Sequence, residues 1–472
     1  MKVAVKSLAP NASFGRGRVV EADYAWEDQA LFVCVRFAGA EWTCRDTEIL
    51  DSRYGELDRE RRVKERARLG IRRVFEQVYG LAESPWGILT GVRPMKMVHA
   101  MLDRGFPPAE LRQILLEVYA LSPKKADLLL EVAQAQRPFF RPNPNNPISI
   151  YIGIPFCPTR CSYCSFAAYP LETHGHLLKD FLKALHVEIE AVGRLVRELR
   201  LQVEAVYLGG GTPTTVQGED LKRLLGLISE HLLAGQDAEF TVEAGRPETL
   251  SRETLNILKA AGTQRICINP QTMHEPTLAA IGRRHTVADV HRAFALAREI
   301  GIPVINMDII VGLPGEELPQ VQRTLEEIGA LGPDNLTVHS LALKRASWLR
   351  KNLDQVRLAQ EQGEAMVDLA RDYALSWGMR PYYLYRQRHI LGDLENTGYA
   401  QPRTSSVYNI QMMEERQTTI ALGGGGISKL VASDLSLTRH ANPKCPAAYA
   451  SQIREHLNEK LDVLRRHLAN SS

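Results

Sequence analysis

No run of about 18 apolar residues occurs in the chain, which argues against a membrane-spanning helix. The opening MKVAVKSLAP also lacks the long apolar stretch of a secretion signal, so a cytoplasmic location is expected. Charge of one sign is missing too. Lysine and arginine number 58 against 55 acidic residues, a net +3. So small an imbalance gives no basis for bulk capture of nucleic acid or of an acidic membrane, and neither is expected as a partner. Cysteine is scarce. Seven in 472 residues, an odd number, cannot make a disulfide framework. Cys34, Cys44, Cys267 and Cys445 are scattered and read as isolated thiols, whereas the other three fall within eight residues.

What is present suggests about two or three domains, because 472 residues exceed one ordinary hydrophobic core. Residues 1–50 read as a small β-rich unit. In QALFVCVRF, from Gln29, the side chains of Leu31, Val33, Val35 and Phe37 share one face of a strand. Residues 51–140 read as helical. Val63, Ala67, Ile71, Val74, Phe75 and Val78 follow helical spacing up to Gly80, and Pro94, Pro107 and Pro123 mark helix starts, the last with Ser122 as N-cap. The basic run RERRVKERARLGIRR overlies that first helix and is expected to be a solvated face rather than a site for an acidic partner. RPFFRPNPNNP, from Arg137 to Pro147, marks a boundary that neither helix nor central strand can cross.

Beyond it, six short apolar runs alternate with amphipathic segments: ISIYIGI, EAVYLG, EFTVEA, RICIN, PVINMDII and NLTVHSL. Serial β-then-α units predict a parallel sheet with right-handed crossovers. Six fall short of the roughly eight of a closed barrel, so the expected fold is α/β, a partial (β/α)6 TIM-like barrel over residues 148–347. A long helix from about Asp354 and a mixed tail complete a region from 348 to 472, expected to cover the substrate.

The strongest chemical signal is C-x3-C-x2-C in GIPFCPTRCSYCSF, directly after the first barrel strand. Thiolates converging from one tight loop suit a 4Fe–4S cluster, and three of them leave one iron open for chemistry. Zinc is the rival, but it usually takes paired C-x2-C or Cys/His sets, and no second pair is present. Position supports a site here. GGGTPT after strand two, Glu243 at the end of strand three, Gln271 beyond strand four, Asp308 near the end of strand five and Ala342 after strand six all belong to one mouth of a parallel barrel. Taken singly each has a plainer reading: a tight turn for the glycines, an internal ion pair for Asp308, surface residues for Gln271 and Arg283. GGGG at Gly423–Gly426 reads as a turn or a close contact, not as a dinucleotide site. His99, His339 and His389 read as structural histidines.

With YIGIPFC, YLGGGTPT, VEAGRPE, NPQT and MDIIVGLPGE in this order, the chain resembles the radical S-adenosylmethionine (SAM) superfamily, and within it the oxygen-independent coproporphyrinogen III oxidase group. GVRPMKMVH, LENTGYAQP and IALGGGGISK resemble the branch called coproporphyrinogen dehydrogenase of the HemZ type. The resemblance implies Cys157, Cys161 and Cys164 as cluster ligands. It implies Tyr151, Gly210 and Glu243 as contacts of one SAM, and Tyr163, Gly211, Thr212, Gln271, Arg283, Asp308 and Ala342 as positions around a second. The implied reaction, in haem biosynthesis, uses a 5′-deoxyadenosyl radical to turn propionates of a tetrapyrrole into vinyls, with electrons from a donor such as flavodoxin or ferredoxin. Arg386, Arg388 and Arg403 are conceivable partners of the propionates. A haem chaperone and a different tetrapyrrole-modifying radical enzyme are the alternatives within the group. One departure stands out: the group's further cysteine, two residues after the third, is Phe166 here.

Overall fold

Leu31, Val33, Val35 and Phe37 are all buried, as their alternation requires, and pack against Ile71, Val74 and Phe75 of a helix. The computed structural model describes residues 20–27, 30–47, 52–53, 55–80, 84–91, 93–164, 166, 168–342, 362–387 and 390–469. They divide into two units, Met1–Gln134 and Ala135–Ser472.

In the first unit, β1 (Glu21–Glu27), β2 (Ala30–Phe37) and β3 (Ala40–Asp46) form an antiparallel meander. Helix Glu56–Tyr79 lies on it and stops at Gly80. Helices Pro94–Asp103, Pro108–Glu117 and Pro123–Gln136 follow, and Ser122 Oγ accepts from the Lys125 N–H at 3.4 Å, the expected cap. The basic run departs from expectation only in part: Arg59, Arg61, Lys64 and Arg68 are exposed as a solvated face requires. Arg62, Arg66 and Arg72 are buried rather than solvated. Arg66 Nε donates to Asp46 at 2.6 Å, Arg62 lies 3.8 Å from the same carboxylate, and Arg72 Nε pairs with Glu76 at 2.5 Å. The carboxylates compensate charges that burial would otherwise expel.

In the second unit the six predicted strands are β4 (Ile148–Ile154), β7 (Val203–Gly210), β8 (Glu239–Val242), β9 (Arg265–Cys267), β10 (Val304–Val311) and β11 (Asn335–Ser340). Two-residue strands β5 (Phe156–Cys157) and β6 (Tyr169–Pro170) lie between the first two. The six lie side by side in chain order and are parallel throughout, the partial barrel expected. Helices Leu178–Glu198, Gly218–Ile228, Arg252–Ala260, Val287–Ile300, Leu318–Leu331 and Gly363–Ser376 alternate with them. Thr286 starts one of these with a capping box, its Oγ1 accepting from the Asp289 N–H. The long helix expected from about Asp354 falls in part outside the described residues; within them a helix runs from Gly363 to Ser376.

The tail does more than follow the barrel. Strands β12 (Arg380–Tyr385) and β13 (Asn396–Ala400) extend the sheet antiparallel beyond β11. On the other side β14 (Thr419–Gly423) adds a seventh parallel strand beside β4, and β15 (Ile427–Val431) and β16 (Leu437–Ala441) continue from it. GGGG is therefore the hairpin between β14 and β15, seated against the end of β4. A Cβ at Gly423 would lie 2.2 Å from the Gly153 carbonyl oxygen. Helix Pro446–Ala469 is tied to β14 and helix Leu178–Glu198 by a fully buried network. Glu188 accepts from Lys460 Nζ at 2.7 Å, Tyr449 Oη at 2.5 Å and the Gly423 N–H at 2.8 Å. Burial pushes the Glu188 carboxyl up, but the Lys460 charge and these donors outweigh it and hold it below the usual range.

Candidate active site

Pro155 interrupts β4, and the chain leaves it as a loop closed by pairing of β5 with β6. Cys157 ends β5, and a turn in which the Cys164 N–H donates to the Cys161 carbonyl at 3.2 Å sets the other two. The glycine run after β7 is stitched onto this loop. Gly211 N–H donates to Ile154 O and Thr212 N–H to Phe156 O, both at 2.7 Å. A Cβ at Gly211 would stand 2.4 Å from the Phe156 carbonyl oxygen and 3.0 Å from Cys157 Sγ. Close approach to the cysteine loop, not merely a tight turn, is what requires glycine there.

The thiols are free and half-buried. Thr212 Oγ1 donates to Cys157 Sγ at 3.6 Å, and Arg246 Nη1 to Cys161 Sγ at 3.2 Å. Burial pushes the Cys157 thiol up to about 11 and the Cys164 thiol up as well, so metal must displace the protons. Among the described residues no three His, Cys, Asp or Glu side chains converge closely enough for a single metal ion. Three thiols carried on one loop are the soft donor set that a 4Fe–4S cluster takes.

The loop roofs a cavity of 490 Å³, lined by Cys157, Cys161 and Cys164 and by every residue expected to contact SAM. At its floor Glu243 accepts from Tyr207 Oη at 2.6 Å and from the Gly210 N–H at 3.1 Å. Burial, helped by the nearby Asp308 charge, pushes the Glu243 carboxyl up to about 7 against the pull of those donors. Tyr151, Tyr207 and Tyr408 stack beside it, the last two with ring centroids 4.3 Å apart.

On the far wall, Gln271 adopts a left-handed φ of 69° while its backbone N–H and C=O pair with Asp308 O and Ile310 N. Such a conformation in a buried glutamine is characteristic of functional sites. Arg283 donates to the Gly245 and Asn269 carbonyls at 2.9 and 3.3 Å and to Tyr163 Oη at 3.0 Å. Three buried atoms here, Gln271 Oε1, Asn269 Oδ1 and Arg283 Nε, have no hydrogen-bond partner among the described residues. A polar ligand can satisfy them. Asp308 accepts from Asn306 Nδ2 at 2.7 Å and lies 3.6 Å from His339 Nε2, whose other ring nitrogen is 3.3 Å from Tyr385 Oη. Ala342 closes this side through a bridge to Ile390.

Several expectations change. Cys267 is not an isolated thiol but lines the cavity, because it ends β9 at the mouth. His339 belongs to the site too. Arg403 is excluded as a propionate partner. Strand β13 runs antiparallel to β11, so the residues after Ala400 emerge at the opposite end of the barrel from the cysteines. Arg386 does not line the cavity and donates to the Asp393 carbonyl at 2.6 Å. Arg388 and His389 lie outside the described residues. His99 is buried in the N-terminal unit. Phe166 is 69% exposed at the cavity rim. Sequence reasoning missed Arg246, Asn306, Tyr207 and Tyr408. Only Arg246 carried a signal, as the residue three after Glu243 in VEAGRPE.

Residues 151–328 match the family model described as the radical SAM superfamily. The chain is 40% identical over 389 residues, 80% of this chain and 77% of the relative, to the oxygen-independent coproporphyrinogen-III oxidase-like protein HemZ of Bacillus subtilis. It is 34% identical to the heme chaperone HemW of the same organism over 50% of this chain and 62% of that one. Coproporphyrinogen III oxidase (HemN) from Escherichia coli shares the fold, with a TM-score of 0.53 and 22% identity over 69% of this chain and 73% of that one. The chain belongs to the oxygen-independent coproporphyrinogen III oxidase-like family of radical SAM proteins. A 4Fe–4S cluster and SAM are its cofactors.

Proposed function

We propose that the protein oxidatively decarboxylates propionates of coproporphyrinogen III to vinyls without oxygen. The observation that carries this reading is the meeting of three thiols and ten expected SAM contacts on one 490 Å³ cavity. Its kinship with a relative named for coproporphyrinogen oxidation points to the substrate. The cluster and SAM supply reductive cleavage to a 5′-deoxyadenosyl radical, and the chain supplies placement. Cys157, Cys161 and Cys164 offer the thiolates. Glu243, braced by Tyr207, accepts hydrogen bonds from a bound SAM, and Tyr151 packs against it. Gln271, Arg283 and Asp308 offer the polar contacts of the far wall. Exposed Arg160 also lines the cavity, a guanidinium suited to a propionate carboxylate.

The test is anaerobic reconstitution with iron and sulfide, then reductant, SAM and coproporphyrinogen III, with products separated by chromatography. Protoporphyrinogen formed together with methionine and 5′-deoxyadenosine supports the proposal. Deoxyadenosine without a porphyrin product removes the substrate assignment while keeping the radical enzyme.

A second reading, a haem chaperone, draws on the relative named HemW. Helix Val407–Glu414 places Met412 and Met413 on the cavity, thioethers of the kind that ligate haem iron. Tight haem binding in a spectral titration, without cleavage of SAM by an intact cluster, favours this role.

A further inference from the structure

Among the described residues, Cys161 alone of the three thiols receives a guanidinium hydrogen bond. Arg246 Nη1 donates to its sulfur at 3.2 Å, while Nη2 donates to Thr159 Oγ1 in the same loop. The arginine is 3% exposed. It lies just beyond β8, on the loop that also carries Glu243. Its Nε stands 3.1 Å from Glu248 Oε1, and Glu248 Oε2 is 3.4 Å from Nδ1 of the buried His285. A line of polar groups therefore runs outward from the ligand loop: half-buried Cys161, buried Arg246, exposed Glu248 and, against it, buried His285.

Burying a guanidinium is costly unless its surroundings compensate it. Glu248 compensates the Nε edge, while the other edge is turned to sulfur. A cluster bound by thiolates gains negative charge on reduction. A cation that donates an N–H to a ligating sulfur therefore stabilises the reduced state more than the oxidised one. A carboxylate behind that cation opposes it.

We propose that Arg246 raises the reduction potential of the cluster through Cys161 and that Glu248 is its counterweight, lowering the potential. Both are positioning residues, since neither needs to touch substrate. The inference rests on Cys161 being a cluster ligand.

The test is a dye-mediated redox titration of the full, anaerobically reconstituted chain, followed by electron paramagnetic resonance, with iron and sulfide counted in each variant. Arg246→Gln is expected to lower the reduced-to-oxidised ratio at the wild-type midpoint at least tenfold, about 59 mV for one electron. Glu248→Gln is expected to shift the midpoint upward. Arg246→Lys, which keeps the charge but not the two-pronged donation, is expected to fall between wild type and Arg246→Gln. Opposite signs for the two glutamine variants support the proposal, because a mere brace of the loop has no reason to produce them. Unmoved midpoints with full clusters, or shifts of the same sign, overturn it. Where Arg246→Gln takes up no iron, Arg246→Lys and Glu248→Gln decide by the same criterion. Cys161→Ala, run alongside, separates the two levels. A full cluster in that variant removes the ligand assignment and the inference with it, whereas cluster loss combined with unmoved midpoints sinks the inference alone.

Discussion

Tyr207 Oη donates to Glu243 Oε1 at 2.6 Å, joining one barrel strand to the residue just past the end of the next. The carboxylate is thereby oriented into the cavity, yet burial raises it to about 7, so it changes charge near neutrality. In its proposed role it attracts the cationic SAM as an anion above that pH, and loses that attraction below it. Affinity for SAM is expected to fall by up to about tenfold per unit as pH drops through 7. Equilibrium dialysis across pH 6 to 8.5 checks this, and Glu243→Gln is expected to flatten the profile at the weaker level. A wild-type profile already flat removes the carboxylate from SAM binding.

Gly211 has no room for a side chain. The Gly211→Ala variant must push the cysteine loop away from β7, at a cost of about 1–3 kcal/mol typical of overpacking. Iron content after reconstitution is expected to drop well below that of wild type while the far-ultraviolet circular dichroism is unchanged. Normal iron content would show that the loop yields freely.

Removing Lys460 leaves the Glu188 carboxylate buried without its cation. Lys460→Met is expected to destabilise the protein by about 3–5 kcal/mol in urea, and the double variant Lys460→Met, Glu188→Leu to recover much of the loss. Acid acts on the same group. The Glu188 carboxyl is held below its unfolded range, so its contribution is present above the unfolded value and disappears as pH falls through the folded one. A single variant as stable as wild type would refute this account of the network.

Asp308 lies on the far wall with Asn306 and His339, away from the cysteines in sequence but in the same cavity. If this wall holds a second SAM, Asp308→Asn is expected to reduce the SAM bound per chain from two to one while reductive cleavage continues. Loss of cleavage with unchanged stoichiometry would instead place Asp308 beside the reacting molecule.

Much of the barrel was legible because strands buried on both faces read as unbroken apolar runs. ISIYIGI coincides with β4 from Ile148 to Ile154. The site was legible in part because parallel strands deliver their C-terminal ends to one mouth, so the Cys loop, Glu243, Gln271, Asp308 and Ala342 could be assigned to one cavity by position, whereas Tyr163 and Arg283 rested on the family resemblance. Strand β14 escaped notice: it is five residues long, ends in glycine and has no helix of the repeating kind behind it. Arg403 was misplaced because the reversal of direction at β13 leaves no local mark in LENTGYAQP. Tyr207 and Tyr408 stack across some two hundred residues of chain, and Arg246 reaches Cys161 by side-chain direction, neither of which has a period to detect.

The seventh parallel strand also orders events in the life of the chain. Glu188 receives its hydrogen bond from Gly423, 235 residues later, and the free edge of β4 stays unpaired until β14 arrives. On the ribosome the cysteine loop therefore emerges long before the segment that steadies the strand beneath it. Stable loading of iron and sulfur is expected only once β14 has paired with β4, and a chain broken off before residue 419 is expected to leave the thiols on an unsupported strand, open to oxidation.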